Sequence, residues 1–252
     1  MRDSNVPESL DGWWMLHRMF SFDRHGWDGL PEKRRVKYGS HAGDLFEHLQ
    51  SGKDGDVALA QLVGHRGDFM LTHYARSYEG LAYAQTLVDK LEIREYLEPL
   101  GSYVSLVEVD VYANGGDANR NLTSRLWAKI PRNRYISFFT MNRRRSGSDD
   151  WYRLPFEERA RLAAEYDRIV RSEHAVTPVV SGSTGFDVYD CGIDLYSDDA
   201  AAFKRLLRSL RYGDSSVRYA DFGPAWSGVQ FSSHELRVFL DGDAVPALDP
   251  DA

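Results

Sequence analysis

The feature that most constrains the fold of this chain is an order of structural elements that occurs twice. Segments in which apolar residues alternate with period 2 predict strands, and longer segments with a 3.6-residue period predict helices. In the first half they give the order strand, helix, strand, strand, helix, strand, at 12–22, 32–50, 57–63, 68–75, 78–91 and 103–112. In the second half the same order is predicted at 135–141, 155–171, 176–181, 190–196, 198–211 and 226–231.

This order is that of the ferredoxin-like unit, β-α-β-β-α-β. Two such units in tandem pack sheet against sheet with their helices outside. We therefore predict an α+β protein of the dimeric α+β barrel type. The predicted boundaries are an N-terminal half at 1–116, a linker at 117–134, a C-terminal half with the pocket at 135–240, and a tail at 241–252.

Charge and cysteine content exclude several classes of function. The net charge of −7 argues against a nucleic-acid partner, because phosphates call for a basic surface. Cys191 is the only cysteine, so the chain can form neither an internal disulfide nor a multi-cysteine metal site. The first residues lack the apolar segment of a secretion signal, and no run approaches transmembrane length. We expect a soluble, cytoplasmic protein without a membrane partner.

The stretch at 135–170 is where we expect the functional site. It begins as a strand, in which alternation places Tyr135, Ser137, Phe139 and Met141 on one face. A basic run at 143–145 and a loop follow, and then a helix with proline and acidic residues at its start, as helix N-termini favour. The inward stripe of that helix consists of Leu162, Ala163, Tyr166, Ile169 and Val170.

Eight motifs in order resemble the chlorite dismutase superfamily and, within it, the coproheme decarboxylase (HemQ-type) branch. The motifs are LDGWWMLH at 10–17, GHRGD at 64–68, SYVSLVE at 102–108, RLWAKIP at 125–131, MNRRR at 141–145, DWYRLPFEER at 150–159, SGSTGFD at 181–187 and SSVRYADFGP at 215–224. The resemblance implies two ferredoxin-like halves, a homopentamer, and a haem or coproheme held in the C-terminal half of an oxidoreductase.

At the site itself the chain departs from the pattern that the resemblance implies. The family's Tyr-Pro-Met-x-Lys, with its catalytic tyrosine, is replaced by residues 139–143, which begin with Phe139. Tyr166 occupies the position of the axial histidine, and Pro178 that of the distal glutamine or arginine. Residues 187–191 replace Asp-Asp-x-Glu-Trp. The expected cofactor-binding residues are Arg125, Phe139, Met141, Arg143, Trp151, Tyr166, Pro178 and Ser216.

Three residues are candidates for catalysis or metal ligation. Tyr166 can ligate ferric haem as a phenolate if a nearby cation lowers its pKa, and Arg171, one turn further along, is a candidate for that cation. The alternative is that Tyr166 only fills space. His174, near the helix end, is a possible ligand or base, although a single histidine there is more often a helix-end residue.

Three hypotheses follow for the function. The first is a haem-dependent oxidoreductase with a non-standard axial environment, for which ordinary coproheme decarboxylase or chlorite dismutase activity is not expected. The second is a haem-free enzyme that uses the pocket for an organic substrate or a non-haem metal. Its candidate donors are Glu165, Tyr166, Asp167, His174 and Asp190. The third is a non-catalytic partner in a homologous assembly.

Overall fold

The structure, a computed structural model, describes residues 7–64, 66–111 and 122–249. The strands in these ranges are β1 (Glu8–Phe22), β2 (Gly55–Leu62), β3 (Phe69–Ala75), β4 (Leu97–Val111), β5 (Tyr135–Arg143), β6 (Thr177–Gly182), β7 (Cys191–Ser197) and β8 (Ala220–Phe231). The α-helices there are α1 (Arg24–Asp28), α2 (Glu32–Ser51), α3 (Tyr78–Asp89), α4 (Leu122–Leu126), α5 (Phe156–Ser172), α6 (Ala200–Leu210), α7 (Asp214–Tyr219) and α8 (Leu236–Asp241). None of the helices described is long and apolar enough to cross a membrane.

The predicted element order and the α+β fold class are confirmed. The first half gives β1-α2-β2-β3-α3-β4, and the second gives β5-α5-β6-β7-α6-β8. The largest differences, of six residues each, are at β4, which begins at Leu97 rather than at 103, and at β8, which begins at Ala220 rather than near 226. The first part of β8 was not predicted because it contains Gly223 and Pro224, and both residue types are rare in strand interiors. Of the predicted linker at 117–134, residues 117–121 lie outside the described residues, and α4 occupies part of the remainder.

The chain divides into two compact units made of discontinuous segments. Unit 1 comprises Met1–Gly12, Ser105–Ala128 and Ser137–Ala225. Unit 2 comprises Trp13–Val104, Lys129–Ile136 and Trp226–Ala252. The strands of unit 1 follow the order β8-β5-β7-β6-β4, and those of unit 2 the order β4-β1-β3-β2-β8.

Unit 2 is built around an antiparallel sheet with a large aromatic core. Strand β1 pairs with β3 in the register Leu16↔His73, and β2 pairs with β3 in the register Val57↔His73. Alternation places one face of these strands against the helices, where aromatic rings dominate the contacts. The buried aromatic residues of this cluster are Phe20, Phe22, Trp27, Phe46, Phe69, Phe231 and Phe239.

In the same unit, a buried carboxylate fixes the segment that precedes β5. Asp56 accepts hydrogen bonds from the backbone N–H groups of Val57 and Ile130, each at 2.9 Å, and from the Arg132 guanidinium. The Lys129 ammonium donates to the Gly52 carbonyl at 2.6 Å. Because a buried charge needs such partners, this network determines where the chain enters β5.

Unit 2 also buries a neutral histidine. His73 is 1% exposed, and neither of its ring nitrogens has a hydrogen-bond partner among the described residues. Burial, assisted by the positive charge of Arg18, lowers the pKa of His73 to about 3. Arg18 itself pairs with Asp89 at 2.6 Å, so this carboxylate is committed to the guanidinium. His73 therefore stays uncharged in the folded protein at neutral pH.

We predict that His73 makes the protein less stable in weak acid. The unfolded chain binds this proton near pH 6.5, whereas the folded chain does so only near pH 3, so protonation favours unfolding as the pH falls. The contribution amounts to about 2 kcal/mol between pH 7 and pH 5. Urea unfolding of His73→Leu should show a correspondingly smaller loss of stability over that interval. His48→Gln, on the exposed side of α2, should behave as wild type. Equal pH dependence in wild type and His73→Leu would refute the assignment.

Candidate functional site

A pocket in unit 1 lies where β5, β6, β7, α5, α6, α7 and β8 meet. It encloses about 60 Å³ and opens on one side to solvent. The residues that line it are Phe139, Met141, Arg143, Tyr166, Val180, Cys191, Ile193, Leu210, Ser215, Ser216, Ala220 and Phe222. The lining is mostly apolar with a few polar groups, which is the usual composition of small-molecule sites.

Strand alternation determines which residues of β5 form a wall of the pocket. Phe139, Met141 and Arg143 are two residues apart on β5, so they project from the same face. On β8, Phe222 meets Phe139 edge to face at 5.8 Å between ring centroids and is 37% exposed at the mouth. The β8 backbone approaches closely here, since a Cβ at Gly223 would collide with the Thr140 hydroxyl and the ring of Tyr189. Glycine is therefore required beside the mouth.

Helix α5 supplies Tyr166. The helix starts after Pro155, and its first turn carries Glu157 and Glu158, which favours helix initiation at this point. Burial raises the pKa of the Tyr166 phenol to about 12, although the positive charges of Arg143 and Arg125 act in the opposite direction. The phenol is thus neutral at physiological pH and can donate a hydrogen bond.

Two of the three consecutive arginines at the end of β5 are committed to carboxylates. The Arg144 guanidinium pairs with Asp221 at 2.7 Å and donates to the Arg218 carbonyl at 2.9 Å. The Arg145 guanidinium pairs with Asp190 and lies 5.0 Å from the centre of the Tyr152 ring. Both side chains therefore have structural roles at the end of the strand.

Arg143 differs from its two neighbours. Its guanidinium stacks 4.2 Å above the Trp151 ring, and Trp151 packs against Leu162 and Tyr219. Within the residues that the structure describes, no carboxylate pairs with Arg143. The side chain is half-buried and borders the pocket. A cation in this setting attracts an anionic ligand, because no protein charge balances it.

The Asp190 carboxylate holds the end of β5 in place. One oxygen accepts the backbone N–H of Arg143 at 2.8 Å, and the other accepts the Arg145 guanidinium. In return, the Asp190 backbone N–H donates to the Asn142 side chain at 2.8 Å. Asp190 is 8% exposed, so these bonds are shielded from water. The carboxylate therefore fixes the backbone from which Arg143 projects.

Further hydroxyl groups are available at the pocket. Ser215 and Ser216 are buried residues of α7. Across the described ranges of the chain, the hydroxyls of Ser215, Ser216 and Tyr166 have no hydrogen-bond partner in the protein. Together with Arg143 they give the pocket four groups able to donate hydrogen bonds to a ligand.

The structure brings five of the predicted cofactor-binding residues together around this pocket: Phe139, Met141, Arg143, Tyr166 and Ser216. Trp151 lies under Arg143 rather than in the lining. Arg125 is exposed, but it is close enough to Tyr166 that its positive charge partly opposes the rise in the pKa of the phenol. Pro178 is half-buried on β6, two residues from the lining residue Val180 and thus on the same face of the strand.

The other candidates lie elsewhere. Arg171 is exposed and faces Asp167 at 3.8 Å, whereas the cations that act on Tyr166 are Arg143 and Arg125. His174 is exposed beyond the end of α5. Glu165 accepts the backbone N–H of Asp214 at 3.2 Å. In the parts of the chain that the structure describes, no three His, Cys, Asp or Glu side chains form a group that could hold a metal ion.

Sequence reasoning did not single out seven residues of the lining: Val180, Cys191, Ile193, Leu210, Ser215, Ala220 and Phe222. Cys191 begins β7 and shares a strand face with Ile193. The signal that could have found it is its place in the 187–191 segment, where the family motif has a tryptophan. Cys191 adds a soft sulfur donor to a lining that already contains the Tyr166 phenol, so the pocket offers two side chains of types that ligate metals.

The comparisons with known proteins agree with this fold. A family model described as chlorite dismutase matches residues 37–231. A solved structure described as a novel heme-binding protein from Thermus thermophilus has a TM-score of 0.89 and 29% identity, covering 95% of this chain and 99% of its own. Chlorite dismutase from Candidatus Nitrospira defluvii in complex with imidazole has a TM-score of 0.76 and 18% identity, covering 92% and 96%. This chain belongs to the chlorite dismutase family.

We predict that Asp190 is a main stabilising residue of the pocket. Asp190→Ala removes the acceptor of the Arg143 N–H and of the Arg145 guanidinium, and should lower the free energy of unfolding by about 2–3 kcal/mol. The matched control is Asp187→Ala, three residues earlier, where the only hydrogen bond to the carboxylate from a described residue is that of the neighbouring Val188 N–H. That variant should lose less than about 1 kcal/mol in urea unfolding. Equal losses in the two variants would contradict the role of Asp190.

Proposed function

We propose that this member of the chlorite dismutase family is a haem-dependent oxidoreductase that holds haem or coproheme without the axial histidine and catalytic tyrosine of the HemQ-type branch. The observation that carries the proposal is the unpaired Arg143 guanidinium in an apolar pocket. A tetrapyrrole has the matching chemistry, an apolar ring with carboxylate groups at its edge. Family membership and the similarity to a heme-binding protein also support it.

The side chains that line the pocket are of the chemical types that a tetrapyrrole requires. Phe139, Ile193 and Leu210 offer apolar contacts, and Arg143 offers a charge-assisted hydrogen bond to a propionate. Ser216 can donate a further hydrogen bond. The enclosed 60 Å³ is well below the roughly 300 Å³ or more of cofactor pockets, so entry requires side chains at the mouth, such as Phe222, to move outward.

The bound iron would supply one-electron redox chemistry, and the protein supplies binding, orientation and exclusion of water. Tyr166 is the candidate ligand from α5. Because its pKa is about 12, it ligates as phenolate only if the metal charge displaces the proton. Cys191 is the alternative donor of the same pocket. In this proposal Arg143 anchors the carboxylate edge, and the Trp151 ring keeps the guanidinium in place.

We predict that purified protein titrated with haem, and separately with coproheme, develops a Soret band. Arg143→Met should weaken binding about tenfold or more, because a charge-assisted hydrogen bond is lost, while Arg143→Lys should retain most of the affinity. Arg144→Met is the matched control, because Arg144 is committed to Asp221. The absence of a Soret band at saturating haem and coproheme would reject the proposal.

The same titration identifies the axial ligand. If Tyr166 ligates the iron, Tyr166→Phe should shift the Soret and charge-transfer bands, and Cys191→Ser should leave them unchanged. The reverse pattern would assign the sulfur of Cys191 as the ligand. Unshifted spectra in both variants would mean that neither side chain ligates the iron, which contradicts the proposed role of Tyr166.

The second candidate function is that of a haem-free family member that uses the pocket for another ligand. One observation favours it, namely the small volume of the pocket. For the first function, the resemblance also leads us to expect that the protein assembles as a homopentamer and is located in the cytoplasm. Light scattering during size-exclusion chromatography measures the assembly directly.

A further inference from the structure

We infer that, in its tetrapyrrole-free form, the pocket is a binding site for a short aliphatic monocarboxylate of two to four carbons. The inference goes beyond the proposed function, because it concerns the pocket at the volume seen in the structure. It rests on three features: one cation without a protein counter-ion, neutral hydroxyls beside it, and an apolar remainder.

The charge of the ligand follows from Arg143. The guanidinium is half-buried and held against Trp151, while the carboxylates nearby are engaged by Arg144 and Arg145. A neutral ligand would desolvate the guanidinium without compensating its charge, which is costly in an apolar site. A carboxylate restores the balance, and its two oxygens match the planar fork of the guanidinium.

The polar contacts also favour one carboxylate rather than a diacid. The remaining polar groups that line the pocket, namely the hydroxyls of Tyr166, Ser215 and Ser216 and the Cys191 thiol, carry no positive charge. They can donate to a carboxylate oxygen but cannot balance a second negative charge. The rest of the lining that a ligand would meet is hydrocarbon from Phe139, Val180, Ile193 and Leu210.

The length of the ligand follows from the volume. The enclosed 60 Å³ corresponds to roughly four to six water-sized molecules. Acetate, propionate and butyrate have about four to six non-hydrogen atoms and match this space. Longer chains would have to displace Phe222 or Leu210, and a dicarboxylate would place a charge among apolar side chains.

The test uses the full chain, shown to be free of tetrapyrrole by its absorption spectrum. Acetate, propionate, butyrate, octanoate and the neutral isostere propionamide are titrated by calorimetry and by ligand-observed saturation-transfer NMR. We expect affinity to rise from acetate to butyrate and to fall at octanoate, with propionamide at least about tenfold weaker than propionate. Equal binding of propionate and propionamide, or no binding of any of the short acids, would overturn the inference.

Variants then assign the site. Arg143→Met should reduce propionate affinity about tenfold or more, and Arg143→Lys should restore most of it. Arg144→Met is the matched control and should bind as wild type. Circular dichroism establishes that each variant is folded. Unchanged affinity in folded Arg143→Met would refute the site.

A haem titration of the same preparation separates the two proposals. If haem binds but no short carboxylate does, the present inference fails while the proposed function stands. If propionate binds in an Arg143-dependent manner but haem does not, the inference holds and the proposed function fails. Competition between propionate and haem would place both ligands on Arg143.

Discussion

The site depends on one buried carboxylate, that of Asp190. It accepts hydrogen bonds from the Arg143 N–H and from the Arg145 guanidinium. These bonds fix the last residue of β5 and neutralise one of three adjacent positive charges, that of Arg145. Asp221 does the same for Arg144. Without these two partners, three neighbouring guanidinium groups would repel one another and none would have a defined direction. With them, a single unbalanced charge remains, and it lies over Trp151 at the border of an apolar cavity.

In the proposed function, the pocket would bind its ligand without the reactive groups that the resemblance leads us to expect. Phe139 and Tyr166 replace side chains that the resemblance associates with chemistry at haem, yet both still form walls of the cavity. A wall needs volume and apolar surface, which a phenyl ring and a phenol supply as well as the residues they replace. In that proposal, binding through Arg143 would be separable from the chemistry at the iron.

Periodicity was sufficient to predict most of the fold, including the inward face of β5 and the helix that carries Tyr166. It could not predict which of three consecutive arginines lacks a partner. That is decided by Asp190 and Asp221, which lie 45 and 77 residues from the arginines that they pair with. Cys191 was missed for a related reason: periodicity placed it on the strand predicted at 190–196, but it did not show which residues of that strand line the pocket. Local patterns specify elements, but partners across the sheet specify the site.

The ionisation state of the pocket limits what it can bind across the whole physiological range. Arginine stays protonated at any relevant pH, and the Tyr166 phenol stays neutral because burial raises its pKa to about 12. The lining therefore keeps its positive charge whether the solution is weakly acidic or alkaline, and a ligand must bring its own negative charge.

This requirement for a negative charge is shared by a tetrapyrrole propionate and by a short free carboxylate, so charge does not discriminate between them. Volume does distinguish them, and the lining residue Phe222 is 37% exposed and meets Phe139 edge to face. In the two proposals, an outward movement of Phe222 would separate the form that admits a small acid alone from the form that admits a whole macrocycle.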